Sequence, residues 1–136
     1  MEEPNEEQRE LIFNLSMMEQ QAQQLQQQLQ AVDQGIIELN SLILGLDKLI
    51  GGEGKEIKAQ IGRGIFVDAK VLSEKLTVDI GGKNFVKKSI KDTKEMINEQ
   101  LSKLEEVKKE LNDNLEKVAG NMQEMIIDMQ KEQAKK

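Results

Sequence analysis

The sequence predicts a mainly α protein with a small β region: a long antiparallel coiled-coil hairpin with two β-hairpins at one end that join an oligomeric β-barrel. Three observations point there. Apolar residues recur at alternating spacings of four and three in the first and last parts of the chain. The stretch between them has period two and holds seven of the ten Gly. Aromatic residues make up only 2% of the 136 residues, against 32% charged. A compact globule of this length would use more aromatic area for its core, so their scarcity favours thin apolar seams. Residues 1–50, 51–89 and 90–136 are read as three parts of a single domain.

The first part holds an unbroken seam: Leu11, Leu15, Met18, Ala22, Leu25, Leu29, Val32, Ile36, Leu39, Ile43, Leu46 and Ile50. A strict period of 3.5 is the mark of a left-handed coiled coil. Pro4 with Glu2, Glu3, Glu6 and Glu7 suits a helix start, where negative charge meets the positive end of the dipole. Gly51 and Gly52 stop the helix. The last part repeats the pattern at Ile90, Lys94, Ile97, Leu101, Leu104, Lys108, Leu111, Leu115, Val118, Met122, Met125 and Met129. Lys94 and Lys108 can cover the seam with their stems and keep their charge in water. Lys131 to Lys136 reads as a frayed tail. The two seams match in length. An intramolecular hairpin follows in which residue i faces roughly residue 140 − i and the chain termini meet at one end.

The middle part alternates. Ile57, Ala59 and Ile61 make one run, and Ile65, Val67, Ala69 and Val71 a second, with Phe66, Asp68 and Lys70 between. Leu76, Val78 and Ile80 make a third, and Phe85 and Val86 a short fourth. Gly62-Arg63-Gly64, Leu72-Ser73-Glu74 and Gly81-Gly82-Lys83 are the breaks. These are four short strands in two hairpins, each with one apolar face. Isolated hairpins are marginal in water, and their open edges invite strand addition. Hairpins from several subunits are therefore expected to share a sheet or barrel. The alternative is a monomer whose strands fold back on its own helices.

The end that holds the termini carries more apolar residues than a seam needs. Ile12, Phe13 and Met17 lie off the seam in the first helix, and Ile126 and Ile127 in the second. Five of the seven Met (Met17, Met18, Met122, Met125 and Met129) fall here. Residues 19–30 hold eight Gln and nothing apolar off the seam, so the excess is expected to be local to this end. Met-rich surfaces repack against varied partners, and exposed apolar patches mark binding surfaces. Two readings fit: a surface that grips hydrophobic segments of other chains, or a wider local core or a patch covered by the chain ends.

The order of parts (heptad helix, Gly break, two hairpins, heptad helix) resembles the α-class subunits of prefoldin, the archaeal ones most closely. The most specific stretch is Ile61-Gly62-Arg63-Gly64-Ile65-Phe66-Val67-Asp68-Ala69-Lys70-Val71. Leu76-Thr77-Val78-Asp79-Ile80-Gly81-Gly82 and Phe85-Val86-Lys87-Lys88-Ser89 follow it. The resemblance implies an ATP-independent holdase chaperone of two α-class and four β-class subunits. These assemble through their hairpins into a double β-barrel in the cytoplasm, with six coiled coils projecting from it. It also implies capture of unfolded polypeptides at the coiled-coil tips and delivery to a group II chaperonin. The substrate-binding residues it implies are Leu11, Ile12, Phe13, Leu15, Met17, Met18, Met122, Met125, Ile126 and Met129. The oligomer interface is expected at Ile57, Ile61, Ile65, Phe66, Val67, Val71, Leu76, Val78, Ile80, Phe85 and Val86.

Other classes fit less well. The chain has no Cys and no His, which removes disulfides, thiolate sites, cysteine nucleophiles, the usual general base and the commonest transition-metal ligand. Gly62-Arg63-Gly64 lacks the Lys-Ser/Thr and following helix of a phosphate-binding loop. Asp68, Asp79, Glu105 and Glu106 read as surface charge. No catalytic residue, metal site or cofactor is expected. Residues 51–89 hold eight basic and five acidic residues, but without aromatics to stack bases a nucleic-acid partner is not expected. The net charge of −6 also opposes it. No stretch approaches the length of apolar sequence a membrane span needs, and no membrane partner is expected. A tethering coiled-coil scaffold that binds one folded partner would explain the heptads but not the Met and Ile excess.

Overall fold

The computed structural model describes residues 5–134. Glu2, Glu3 and Pro4 of the expected helix start, and Lys135 and Lys136 of the expected tail, lie outside the described residues. The elements run α1 (Glu6–Leu49), β1 (Glu56–Gly62), β2 (Ile65–Lys70), β3 (Leu76–Asp79), β4 (Phe85–Lys88) and α2 (Ile90–Ala134). They form two compact units: residues up to Gly35 with those from Leu104 onward, and Ile36–Lys103.

In the first unit the opening of α1 is set by Asn5. Its Oδ1 accepts from the Gln8 backbone N–H at 2.8 Å, and its own N–H donates to Gln8 Oε1 at 3.2 Å. This reciprocal capping box satisfies two amide donors that a helix start otherwise leaves bare. The seam residues Leu11, Leu15, Met18, Ala22, Leu25, Leu29 and Val32 are half-buried. Opposite them Leu104, Lys108, Leu111, Leu115, Met122, Met125 and Met129 are half-buried too, and Val118 is buried. The helix segments are antiparallel: Lys108 Nζ lies 2.8 Å from Asp33 Oδ1, and Met18 and Leu25 share a groove with Val118 and Asn121. Gly35 lies close to Leu104, whose Cδ1 would be 3.3 Å from an added Cβ. Helix α2 continues to Ala134, so the described part of the expected frayed tail is helical.

In the second unit Leu46, Ile90 and Ile97 are buried together, and Leu39, Ile43, Leu49, Leu76 and Leu101 pack around them. Lys94 Nζ meets Asp47 Oδ1 at 2.5 Å. Both ion pairs fall within one residue of the expected pairing of i with 140 − i. Both are partly exposed, so each contributes about 0.2–1 kcal/mol and acts mainly on register. Helix α1 ends at Leu49, and Ile50 is a turn residue, exposed rather than on the seam. The turn turns back through Gly51 at φ 71, with Gly52 N–H donating to Leu49 O at 2.9 Å. The Glu74 carboxylate accepts from Gly51 N–H and ties the loop after β2 to this helix end. Helix α2 starts on Ser89, whose Oγ accepts from Asp92 N–H at 3.0 Å. Buried Thr93 donates its hydroxyl proton to Ser89 O at 2.8 Å.

The strands make two separate two-stranded antiparallel sheets, β1–β2 and β3–β4. In the first, Ile57 faces Ala69 and Ala59 faces Val67, with an irregularity between Gln60 and Gly62. Arg63 (φ 48) and Gly64 (φ 77) form a two-residue loop with both φ positive, the type I′ pattern that matches strand twist. The pairing continues past the strand ends, since Gly54 N–H donates to Val71 O at 2.7 Å and Val71 N–H to Lys55 O at 2.9 Å. In the second sheet Val78 faces Val86 and Asp79 faces Phe85. The third run ends one residue earlier than expected, and Ile80 opens the loop to Asn84.

Ile97 is the most enclosed large side chain, 2% exposed. Ile97→Ala removes packing at the meeting point of α1, β3 and α2, and is expected to cost about 2–5 kcal/mol. Thermal unfolding at fixed protein concentration measures it.

Candidate functional site

Among the described residues, exposed apolar side chains gather on two surfaces in particular. The first is on the hairpins. Alternation puts Ile57, Ala59, Val67, Ala69 and Ile65 on one face of β1–β2. Ile57, Ile65 and Val67 are exposed there, as is Ile61 at the irregularity. The opposite face pairs Glu56 with Lys70 and Lys58 with Asp68, opposite charges facing across the strands. Phe66 stands on this polar face, 56% exposed. On β3–β4 one face holds Leu76, Val78 and Val86, all half-buried, and the other holds Thr77, Asp79, Lys87 and Phe85. Phe85 is 62% exposed.

The hairpins are not equally bare. Leu76 packs on the helix core, so the second hairpin finds cover within its own unit, contrary to the expectation that neither would. Val71 is half-buried and held by the backbone bonds to Gly54 and Lys55. The first hairpin leaves its aliphatic face open.

The second surface lies in the first unit, at the end with the termini. Ile12, Phe13, Met17, Ile126 and Ile127 are exposed. Leu11, Leu15, Met18, Met122, Met125 and Met129 are the half-buried seam beneath them. Asn14, Met17, Met18, Gln20, Gln21, Gln24 and Met125 line an open groove of about 650 Å³ that draws on both helices. Local broadening of the core does not account for the excess, since the off-seam residues remain in contact with solvent.

The excess is not confined to this end. Ile37, Leu42 and Leu44 of α1 are also exposed, in the second unit. Ile37 and Leu44 are seven residues apart and share one helix face. Comparing residues 19–30 alone could not reveal them. Reading residues 36–44 in the same way would have done so.

The groups weighed for chemistry have structural tasks. Asp79 Oδ1 accepts from Gly81 N–H at 2.9 Å and shapes the loop after β3. Asp68 faces Lys58 across β1–β2. Gly62, Arg63 and Gly64 are the turn of the first hairpin. A shallow cleft of about 720 Å³ in the second unit is lined by Ile50, Glu74, Ser89, Ile90 and the lysines 75, 91 and 94. Glu74 and Lys94 there are already engaged by Gly51 and Asp47.

The prefoldin subunit family profile matches residues 18–135, which takes in α1 from Met18 onward, both hairpins and α2. The chain belongs to the prefoldin subunit family. The prefoldin fold is also seen in a cryo-EM structure of filamentous PFD from Methanocaldococcus jannaschii, at a TM-score of 0.74 and 20% identity. The match covers 83% of this chain and 95% of that one. No curated protein sequence matches the chain. As a prefoldin it is a chaperone-type subunit of a non-enzymatic family whose members assemble with other prefoldin subunits. Among the described residues no helix is long and apolar enough to cross a membrane.

Ile65 and Val67 on the aliphatic face of β1–β2 are exposed. Ile65→Ser with Val67→Ser is therefore expected to leave helix content by circular dichroism unchanged. The same variant should lower the mass measured by analytical ultracentrifugation.

Proposed function

We propose that this chain is the α-class subunit of an archaeal, cytoplasmic prefoldin hexamer, two such chains with four β-class subunits. In this reading it is an ATP-independent holdase that captures unfolded polypeptides and passes them to a group II chaperonin. The α-class assignment draws on the two hairpins per chain, since the β class has one. Assembly runs through Ile57, Ile61, Ile65, Val67 and the edges of both sheets, with Phe66, Ile80 and Phe85 as further contacts.

Client capture rests on one observation: Ile12, Phe13, Met17, Ile126 and Ile127 are exposed around a methionine-lined groove at the end with the termini. Burying a few such side chains gains a few kcal/mol at about 25 cal/mol per Å². Ordering and translational costs cancel much of that. Several tips on one assembly make later contacts intramolecular, so weak sites sum to retention without nucleotide. Release follows when a chaperonin displaces tips one at a time.

A second reading concerns assembly only. Both two-stranded sheets leave open edges, and the M. jannaschii relative in fold is filamentous. Copies of this chain could then add edge to edge with no other subunit. Size-exclusion chromatography with light scattering separates the two. A discrete complex formed only with β-class subunits supports the hexamer, and a growing polymer of the chain alone supports the filament. For client capture, Phe13→Ser with Ile126→Ser is expected to keep the assembled mass. It should lose most of the suppression of aggregation of a denatured client measured by light scattering. Unchanged suppression would rule out this surface.

A further inference from the structure

We propose that the apolar surface at the terminal end selects cationic amphipathic segments among unfolded chains. The inference rests on the holdase reading and adds a client class to it. The site is the apolar patch itself, Ile12, Phe13, Met17, Ile126 and Ile127 with the methionine groove. Its surroundings decide the class.

Residues 5–20 and 118–132 carry seven carboxylates (Glu6, Glu7, Glu10, Glu19, Glu124, Asp128 and Glu132) against two cations, Arg9 and Lys131. Between Glu19 and Asp33 α1 carries no charge, and on α2 residues 107–121 balance three carboxylates with three lysines, so the net acid belongs to the patch. The second unit has the opposite balance, with twelve basic and ten acidic residues in 36–103.

The carboxylates are also arranged at some cost. Glu124, Asp128 and Glu132 follow one another at four-residue intervals on α2, as do Glu6 and Glu10 on α1. Like charges at that spacing stand side by side on one helix face and destabilise it by a few tenths of a kcal/mol per pair. A cationic partner turns this repulsion into attraction. Glu10 lies one turn from Phe13, and Glu124 one turn from Ile127, so charges and apolar groups can engage one short segment together. A segment alternating lysine or arginine with apolar residues satisfies both. An anionic segment of equal hydrophobicity meets the same apolar patch against the field. Attraction of this kind acts over about 10 Å at 0.1 M salt and shortens as salt rises.

The test uses the full chain in its assembled form and two labelled unstructured peptides. They share the same apolar residues at the same spacing, one with lysine between them and the other with glutamate. Fluorescence anisotropy is expected to give roughly tenfold tighter binding of the lysine peptide at low salt, falling to about twofold near 0.5 M. The triple variant Glu10→Gln, Glu124→Gln and Asp128→Asn should erase most of the difference while still binding the glutamate peptide. Equal affinity of the native protein for both peptides overturns the proposal, as does a difference that survives in the triple variant. If the assembled native protein holds neither peptide, the holdase reading itself fails and the selectivity falls with it.

Discussion

The structure depends on a seam too narrow to hide everything apolar that the chain carries. A repeat of 3.5 gives each helix one stripe to bury, and two helices facing each other leave most seam residues half in water. Several side chains are buried together where a third element joins, as Leu76 of β3 does beside Leu46, Ile90 and Ile97, whereas on the two-helix seam of the first unit Val118 is buried among half-buried neighbours. Elsewhere the surplus has no interior to enter. Every Phe in the chain is exposed: Phe13 on α1, Phe66 and Phe85 on hairpin faces otherwise lined with polar groups. The chain uses few aromatics and buries none of them.

That division separates the two units by chemistry. The unit with the termini is acidic and carries adaptable thioethers. The unit with the strands is slightly basic and carries branched aliphatics on a pleated face. Flexible side chains suit partners of varied shape, whereas branched ones on a regular sheet suit a single repeated partner. Under the proposed function, each surface would suit a different kind of recognition within one prefoldin chain.

Much of this was legible in the order of residues, because heptad and period-two patterns report directly on which side chains share a face. The seam from Leu11 to Leu46 and from Ile90 to Met129, the four strands and the Arg63-Gly64 turn are all of that kind. What the patterns do not report is cover. Alternation puts Leu76 and Ile57 each on an apolar face, yet Leu76 packs on the helix core and Ile57 stays exposed. Ile50 fits the heptad but falls past the last helical residue, where Gly51 turns the chain. The Asn5–Gln8 capping box was overlooked because nearby acidic residues and Pro4 offered a helix start of their own. Ile37 and Leu44 lie beyond the glutamine-rich stretch, off the heptad seam, where a period of 3.5 gives no sign of them.

The two ion pairs have a further consequence. Asp33 and Asp47 are fourteen residues apart, as are Lys94 and Lys108. Sliding one helix past the other by seven residues would keep apolar seam against apolar seam at little hydrophobic loss. In one direction it would also set Asp33 beside Leu115 and Asp47 beside Leu101, and in the other Lys108 beside Gln26 and Lys94 beside Asn40. The paired charges therefore work like the marks of a vernier, with only one setting at which both coincide. In that setting Met18 of one helix comes to rest beside the groove that Met125 of the other completes.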